Sequence, residues 1–312
     1  MAKADLHVHS WHSTESGSLR FLKSRDCYSD PVSVYSTAKS RGMDYVCLTD
    51  HDSIDGCIEL RSRGFDDVIV GEEVSCVLPE SGIEVHFGVY GTSEALHREI
   101  QPLRGNALEV AQCLRQHDVF FSLNHLLHFY RREIPLERYL ELLSVVPALE
   151  VRNGAMLQVH NALIERLRAS ADCQPRLAVT AGSDAHTLRR VGRTWTEAPG
   201  DTAAAFLHSV KAGHGRPGGE DGDLSTVLAD TYGVIGRFMV SLVGIGPQHH
   251  TPARRALCLG FSLLSIPFQF LPLVLLHRAK RLEARTTAEA VEFLRPLLEG
   301  APGASAPEEV VI

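Results

Sequence analysis

The sequence lacks the motifs that identify several large classes of nucleotide, redox and secreted proteins. Its seven cysteines are scattered, and no two have the short spacing of a zinc knuckle or a redox motif. It contains no glycine-rich P-loop and no dinucleotide fingerprint. The N-terminus, MAKADLHVHS, is polar where a signal peptide needs an apolar core. These absences predict a cytoplasmic chain with reduced cysteines and give no support to a nucleotide-binding enzyme of those types.

The chain also lacks an excess of positive charge. It has 31 basic and 38 acidic side chains and a net charge of −7 over 312 residues. Stable binding to duplex nucleic acid is therefore not expected. The abundant residue is histidine, with sixteen copies. Because imidazole is the commonest metal ligand, the positions of these histidines decide whether the sequence predicts a metal site.

Short apolar runs alternate with helical patterns over the first two thirds of the chain. Four helices are predicted, the first of them capped by Asp30, at 31–41, 136–145, 159–171 and 202–212. Seven buried strands are predicted at 5–9, 45–49, 68–70, 84–89, 119–123, 148–151 and 177–180. This alternation predicts an α/β fold with a largely parallel sheet, closed as a seven-stranded β/α barrel like the TIM barrel.

The composition predicts four regions along the chain. They are a barrel at 1–215, a glycine-rich linker at 216–224, an apolar helical region at 225–299 and a disordered tail at 300–312. Residues 256–276 carry no charge, but Pro267 and Pro272 interrupt them and basic residues flank them. Three interpretations stay open: a membrane span, an interfacial or partner-binding helical hairpin, and a soluble helical subdomain packed on the barrel. Residues 225–281 are thus a candidate surface for a peripheral membrane or protein partner.

Polar side chains follow the predicted strands in a regular series. In a β/α barrel the carboxyl ends of the strands converge on one face, so these residues should meet there. Imidazole mixed with carboxylate suits zinc, manganese or iron, and a bridging carboxylate such as Glu73 could hold two ions. His12 and His128 could contact substrate, and Glu150 is either a site carboxylate or a polar end to its strand. The candidate ligands are His7, His9, His51, Glu73, His86, His125, Asp184 and His186.

The motifs DLHVHS, TDHD, GEEVS, VHFGVYG, NH and GSDAH occur in an order that resembles the PHP domain, named for polymerase and histidinol phosphatase. The resemblance runs from about residue 4 to 215. It implies a distorted seven-stranded barrel with two or three divalent ions. It further implies that His7, His9, Glu73 and Asp184 bind one ion, that Glu73 bridges to a second held by His86 and His125, and that His51 and His186 serve a third.

The chain departs from the family pattern after the first motif. The family usually has Ser-Asp there, whereas this chain has Ser13, Thr14 and Glu15. Threonine is a poor metal ligand. Either Glu15 reaches the third site, His12 substitutes, or the third site is weak.

These observations predict a metal-dependent phosphoesterase. A metal-bridging hydroxide would attack phosphorus, with Asp184 or His186 protonating the leaving oxygen. Arg131, Arg152 and Arg193 are candidates for binding the phosphate. The expected substrate is a small phosphorylated molecule, a class that includes nucleotides and short oligonucleotides. The alternatives are a metal-dependent amidohydrolase on the same rim and a non-catalytic scaffold.

Overall fold

One mixed β-sheet, wrapped by helices, forms the first two thirds of the molecule. The computed structural model describes residues 1–13, 25–129, 134–170, 177–245, 251–268 and 270–298. The strands are β1 (Ala2–Asp5), β2 (Tyr45–Leu48), β3 (Val68–Leu78), β4 (Ile83–Tyr90), β5 (Phe120–Leu123), β6 (Ala148–Asn153), β7 (Ala178–Gly182), β8 (Thr194–Ala198) and β9 (Arg216–Gly219). The helices that follow strands β1 to β8 are α1 (Pro31–Ser40), α2 (Asp55–Ser62), α3 (Glu94–Ile100), α4 (Ala107–Gln116), α5 (Leu136–Val145), α6 (Gln158–Ala169) and α7 (Ala203–Ser209).

The sheet differs from the predicted one in strand number and in direction. It has nine strands in the order β7-β6-β5-β4-β3-β2-β1-β8-β9. β1–β2, β2–β3, β5–β6 and β6–β7 are parallel, whereas β3–β4, β4–β5, β1–β8 and β8–β9 are antiparallel. The predictions of seven strands and a largely parallel sheet were therefore wrong. β9 lies within the predicted linker at 216–224, where glycine and proline do not prevent pairing at a sheet edge.

The sheet is nearly closed, and a side chain of β8, the strand next to the end strand β9, contacts the other end strand, β7. Thr196 of β8 is buried, and its Oγ1 accepts a hydrogen bond from the Ala181 amide of β7 at 2.8 Å and donates to the Ala181 carbonyl at 3.0 Å. Beyond the strand ends, Val8 and Ala185 form an isolated parallel bridge. We call this pairing of residues 7–9 with 184–185 the seam. The seam brings the chain following β1 against the chain following β7.

The predicted helices of the barrel are present. Pro31 begins α1, and the Asp30 side chain accepts a hydrogen bond from the Ser33 amide, as expected of an N-cap. The helix predicted at 136–145 has those bounds, and the one predicted at 159–171 begins one residue earlier and ends at Ala169. The helix predicted at 202–212 ends at Ser209 and continues as a single π-helical turn, Val210–His214.

The C-terminal region is helical. It comprises α8 (Leu224–Leu242), α9 (Pro252–Leu264), a 3₁₀ turn (Ile266–Phe268), α10 (Leu271–Phe293) and α11 (Arg295–Leu298). The uncharged segment 256–276 is thus divided between α9, the turn and α10. Within the described ranges, no helix combines the length and the apolar character needed to cross a membrane. Ala290, Leu294 and Leu298 join the main hydrophobic core of the barrel, so the end of this region packs on the outer helices, including α6.

Candidate metal centre

The eight predicted ligands converge at the carboxyl ends of the strands. We call these eight residues, together with Asp26, the ligand cluster. The structure groups their donor atoms, within 4.8 Å of one another, as His7–His9–Glu73, His7–His125–Asp184, His51–Glu73–His86 and His9–Asp26–His51–His186. The cluster therefore offers overlapping sites for more than one divalent ion.

Glu73 lies at the centre of the cluster, and its two oxygens face different histidines. Oε2 lies 3.1 Å from His7 Nε2 and 3.4 Å from His51 Nδ1. Oε1 lies 3.1 Å from His125 Nε2 and 3.3 Å from His86 Nδ1. A carboxylate with separate partners on each oxygen has the geometry of a bridge between two ions.

The imidazoles around Glu73 lower its pKa. Burial alone would raise its pKa, but the imidazoles of His7, His86 and His51 outweigh burial and hold the pKa well below its ordinary value. Asp184 behaves in the same way, since its pKa is held low mainly by His7 against the effect of burial. Two buried anions surrounded by imidazoles are the charge arrangement that a divalent cation requires.

Contacts of the Nδ1 atoms orient the imidazole rings of His7 and His9, the two histidines that follow β1. His7 Nδ1 lies 2.8 Å from Glu150 Oε1, and His9 Nδ1 lies 3.0 Å from Ser13 Oγ. These contacts direct both Nε2 atoms toward Glu73 Oε2 and Asp184 Oδ1, at 3.1 to 3.5 Å. Carboxylate and hydroxyl partners of this kind commonly fix metal-binding imidazoles.

Three buried histidine nitrogens have no hydrogen-bond partner among the described residues, and this supports the conclusion that the ligand cluster suits metal ions. His7 Nε2, His9 Nε2 and His51 Nδ1 are buried and have no hydrogen-bond partner among the described residues. Leaving such groups unpaired costs free energy, and each of them faces a carboxylate oxygen at a distance that leaves room for shared coordination. The residues therefore fit divalent metal.

Glu150 is not a member of the ligand cluster, but its carboxylate holds residues of the cluster in place. Besides His7, its Oε2 accepts hydrogen bonds from the His125 amide at 3.1 Å and from Asn153 Nδ2 at 2.9 Å. Asn153 Nδ2 also donates to Asp184 Oδ2 at 3.2 Å. Of the two interpretations left open by the sequence, Glu150 is a site carboxylate that holds the residues around it.

Backbone conformation and a glycine help to place the ligands. His125 and Asp184 have φ values of 28° and 52°, which are uncommon for residues other than glycine and occur most often where function requires them. Gly182, the last residue of β7, approaches His7 so closely that a Cβ would lie 2.3 Å from the His7 Cβ. Only glycine lets β7 carry Asp184 this near to the chain after β1.

Asp26 belongs to the cluster but was not among the predicted ligands. Its Oδ2 lies 2.7 Å from His186 Nε2 and 3.6 Å from His51 Nε2. Burial opposes ionisation, but His186 and His51 lower the pKa of Asp26 below its ordinary value. In turn, Asp26 outweighs the effect of burial and raises the pKa of His186 to about 10. Asp26 thus occupies the place where the sequence pattern lacks an acidic ligand.

The loop that carries Asp26 is fixed on two sides. The buried Cys27 thiol donates to the carbonyl oxygens of His9 and His186, at 3.3 and 3.1 Å. Tyr28 packs with Phe238 of α8, with 6.1 Å between ring centroids, in a small core that includes Leu242 and Cys258. The C-terminal helices therefore support one side of the ligand cluster.

α8 contacts the cluster a second time, through Asp230. The Asp230 carboxylate accepts hydrogen bonds from the His186 amide, at 3.3 Å, and from the Thr187 hydroxyl. The C-terminal region thus holds the backbone on both sides of the Asp26–His186 pair.

The other residues singled out in the sequence have different places. His12 Nε2 lies 2.8 Å from Glu59 Oε2 of α2, and His128 is exposed with its ring 5.7 Å from that of His125. Thr14, Glu15 and Arg131 lie outside the described residues.

The two described candidate arginines contact the segment around β9. Arg152 donates to the Gly219 carbonyl at 3.1 Å and lies 3.5 Å from Asp221, whereas Arg193 donates to Glu220 at 3.0 Å. These guanidinium groups are engaged with carbonyl and carboxylate oxygens, which would have to be released before either group bound a phosphate.

Comparison with known proteins supports the resemblance found in the sequence. Residues 174–214 match the family PHP_C, described as PHP-associated. This match covers 41 of the 312 residues and agrees with the resemblance to the PHP domain over that segment. An uncharacterized protein of Methanocaldococcus jannaschii is 33% identical over 75 residues, which are 23% of this chain and 43% of that protein. The chain therefore spans less than half the length of this curated relative.

One solved structure supports the fold. PsfC from Pseudomonas syringae is 21% identical, with a TM-score of 0.51 over 77% of this chain and 100% of PsfC. At this identity the likeness shows the fold alone. The lesion-specific endonuclease EndoQ from Pyrococcus furiosus is 17% identical, with a TM-score of 0.43 over 69% of this chain and 57% of that structure. That score is too low to support a statement about activity.

Proposed function

Since the chain carries PHP-associated sequence, we propose that it is a metal-dependent hydrolase and that its substrates are phosphoesters. The observation that carries this proposal is the position of Glu73, with His7 and His51 at one oxygen and His86 and His125 at the other. When bound, divalent ions would supply Lewis acidity and an activated water. We expect two or three ions, and zinc, manganese and iron all suit these ligands.

The roles of the residues follow from their places in the cluster. His7, His9, Glu73 and Asp184 would hold one ion, and His86 and His125 would hold a second with Glu73. His51 and His186 would hold a third, completed by Asp26 instead of Thr14. The buried network around Glu150 would keep these groups in one arrangement before substrate arrives, which is how a preorganised site lowers a barrier.

In the two-ion form, in which its imidazole binds no ion, His186 is the proposed proton donor to the leaving oxygen. Its side chain is 24% exposed, against 12% for Asp184, so it lies nearer the open side of the cluster. Asp184 faces His7, His9 and His186 with a single oxygen, within 3.7 Å. We therefore assign Asp184 to metal binding and position, and His186 to proton transfer at the rim.

The substrate is proposed to be small and phosphorylated. Its phosphate would bind mainly through the ions, because Arg152 and Arg193 are engaged with the segment around β9. Arg131 stays a predicted phosphate ligand. The net charge of −7 does not favour long nucleic acid, whereas nucleotides and short oligonucleotides remain within the proposed class.

A panel assay with a matched pair of variants tests the proposal. Purified protein loaded with Mn²⁺ or Zn²⁺ is assayed on an aryl phosphate, nucleotides, sugar phosphates and a parallel set of amides. Glu73→Gln should lose at least roughly 100-fold in kcat/KM. Glu72→Gln should retain activity, because Glu72 is equally buried but bonds His97 and Gln101 on the opposite face of β3.

Three outcomes would contradict parts of the proposal. Hydrolysis of amides but not phosphoesters would leave a metal-dependent hydrolase and refute the substrate class. Equal loss in both glutamate variants would mean that Glu73 has no special role. A folded, metal-loaded protein that hydrolyses neither class would favour a non-catalytic scaffold.

A further inference from the structure

The exposed apolar side chains of this protein are concentrated in one region. Among the described residues, sixteen large hydrophobic side chains are exposed, and fourteen of them lie between Val240 and Leu282. The two others, Met1 and Val77, lie elsewhere. Monomeric proteins seldom expose large apolar side chains in such a concentration, and those that do usually bind something there.

The solvent-facing side of α9 is the apolar one. Cys258 is buried in the small core with Tyr28 and Phe238, and Leu259 packs against that core. The opposite side of α9 carries the exposed side chains of Leu257, Phe261 and Leu264, of which Leu264 is 79% exposed. A helix packed on a globular protein normally shows the reverse pattern, with polar residues outward.

The same surface continues into the next helix. Phe268 and Phe270 are about 60% exposed, and Leu271, Leu273, Val274 and Leu275 in the first turns of α10 are each more than 40% exposed. We call the exposed residues 257–275 the apolar face. The later part of α10 is fixed to the barrel, because Lys280 Nζ donates to the Ala155 carbonyl and Glu283 accepts from the Leu157 amide. The apolar face thus continues into a helix whose later part is anchored to the barrel.

The sequence that contains the apolar face carries charge of one sign between Asp230 and Glu283. Residues 231–282 contain six of the chain's 31 basic residues and none of its 38 acidic residues. Arg237, Arg278 and Arg281 are exposed. The guanidinium group of Arg255 instead donates hydrogen bonds to the Leu242 carbonyl at the end of α8. A positive border on an apolar face, within an acidic protein, is the pattern that anionic interfaces attract.

We propose that the apolar face docks on an anionic lipid surface, with its leucine and phenylalanine side chains in the boundary between headgroups and acyl chains. Arg278 and Arg281, which directly follow the apolar turns of α10, would contact the headgroups. A second protein copy would bring the same positive charges together, so the charge argues against self-association as the occupant.

Vesicle sedimentation of the full chain tests this proposal. The protein should pellet with vesicles of phosphatidylcholine mixed with phosphatidylglycerol, bind vesicles of phosphatidylcholine alone at least tenfold more weakly, and be released by salt. Arg278→Glu with Arg281→Glu should weaken binding by at least roughly fivefold for each charge removed. Leu263→Asp with Leu264→Asp should weaken it at least roughly tenfold.

Val77→Asp is the matched control, since Val77 is an exposed apolar residue outside the apolar face. It should bind like the unmodified chain. Circular dichroism and metal content, measured on every variant, separate loss of docking from loss of folding and from failure of the proposed hydrolase. Absence of binding to either vesicle, equal binding to both, or unchanged binding of the leucine variant would overturn the proposal. So would a stable dimer that Leu263→Asp with Leu264→Asp dissociates and that does not bind vesicles.

Discussion

Replacing Asp26 by asparagine should remove one metal ion and leave the others. Asp26 Oδ2 lies 2.7 Å from His186 Nε2 and 3.6 Å from His51 Nε2, whereas Glu73 and Asp184 supply the carboxylates for the remaining groups. Altering a residue that merely supports a ligand typically lowers metal affinity about 10–100-fold. Replacing a charged ligand by a neutral amide should therefore cost roughly 100-fold or more, which is about 2.7 kcal/mol.

The measurement is metal content per chain after dialysis against a weak chelator, followed by competition titration to obtain affinities. Asp26→Asn should retain one ion fewer than the unmodified protein. Asp30→Asn is the control, because Asp30 lies in the same loop but caps α1 through the Ser33 amide. It should keep all ions and lose no more than about 1 kcal/mol of stability. Equal metal content and affinity in Asp26→Asn and the unmodified chain would refute the assignment of Asp26 as a ligand.

Three further predictions concern the support of the site and the sheet. Glu150→Gln should weaken metal binding about 10–100-fold, measured by chelator competition, because His7 loses its charged partner. Burial lowers the pKa of His160 to about 4, so protons bind preferentially to the unfolded chain as the pH falls from about 6.5 toward 4. Between about pH 7.5 and pH 5, the free energy of unfolding should therefore fall by about 2 kcal/mol more in the unmodified protein than in His160→Gln, as measured by urea unfolding. An equal fall in both proteins would contradict this. Thr196→Val should cost about 2–4 kcal/mol in urea unfolding, because it leaves the buried amide and carbonyl of Ala181 unpaired; a cost below about 0.5 kcal/mol would show that the contact is not needed.

The sequence indicated which residues lie together in the ligand cluster because their positions follow from the regular geometry of the strands. Side chains at strand ends alternate between two faces, so His7 and His9 could be placed side by side without a structure. Asp26 could not be found in this way. It reaches the cluster from a loop between β1 and α1, where no period relates a residue to the site, and its position depends on contacts with Cys27 and α8.

Strand direction was harder to predict than strand position. The apolar runs at 68–70 and 84–89 identified parts of β3 and β4, but β3 extends to Leu78 and pairs antiparallel with β4 across a short turn. β9 has the sequence RPGG, which is typical of a linker, and it forms only because β8 offers an edge. Such pairings are set by tertiary contacts that local composition does not encode.

The seam has a consequence for the order in which the protein matures. His7 and His9 precede Asp184 by about 175 residues along the chain, and the carboxylate of Asp184 joins them only through the pairing of residues 7–9 with 184–185. A nascent chain that has not yet reached β7 exposes two histidines without this partner and cannot complete the first metal site. Metal capture is thereby tied to completion of the barrel, and the ions would add a second link between the two segments that the backbone pairing of the seam already joins.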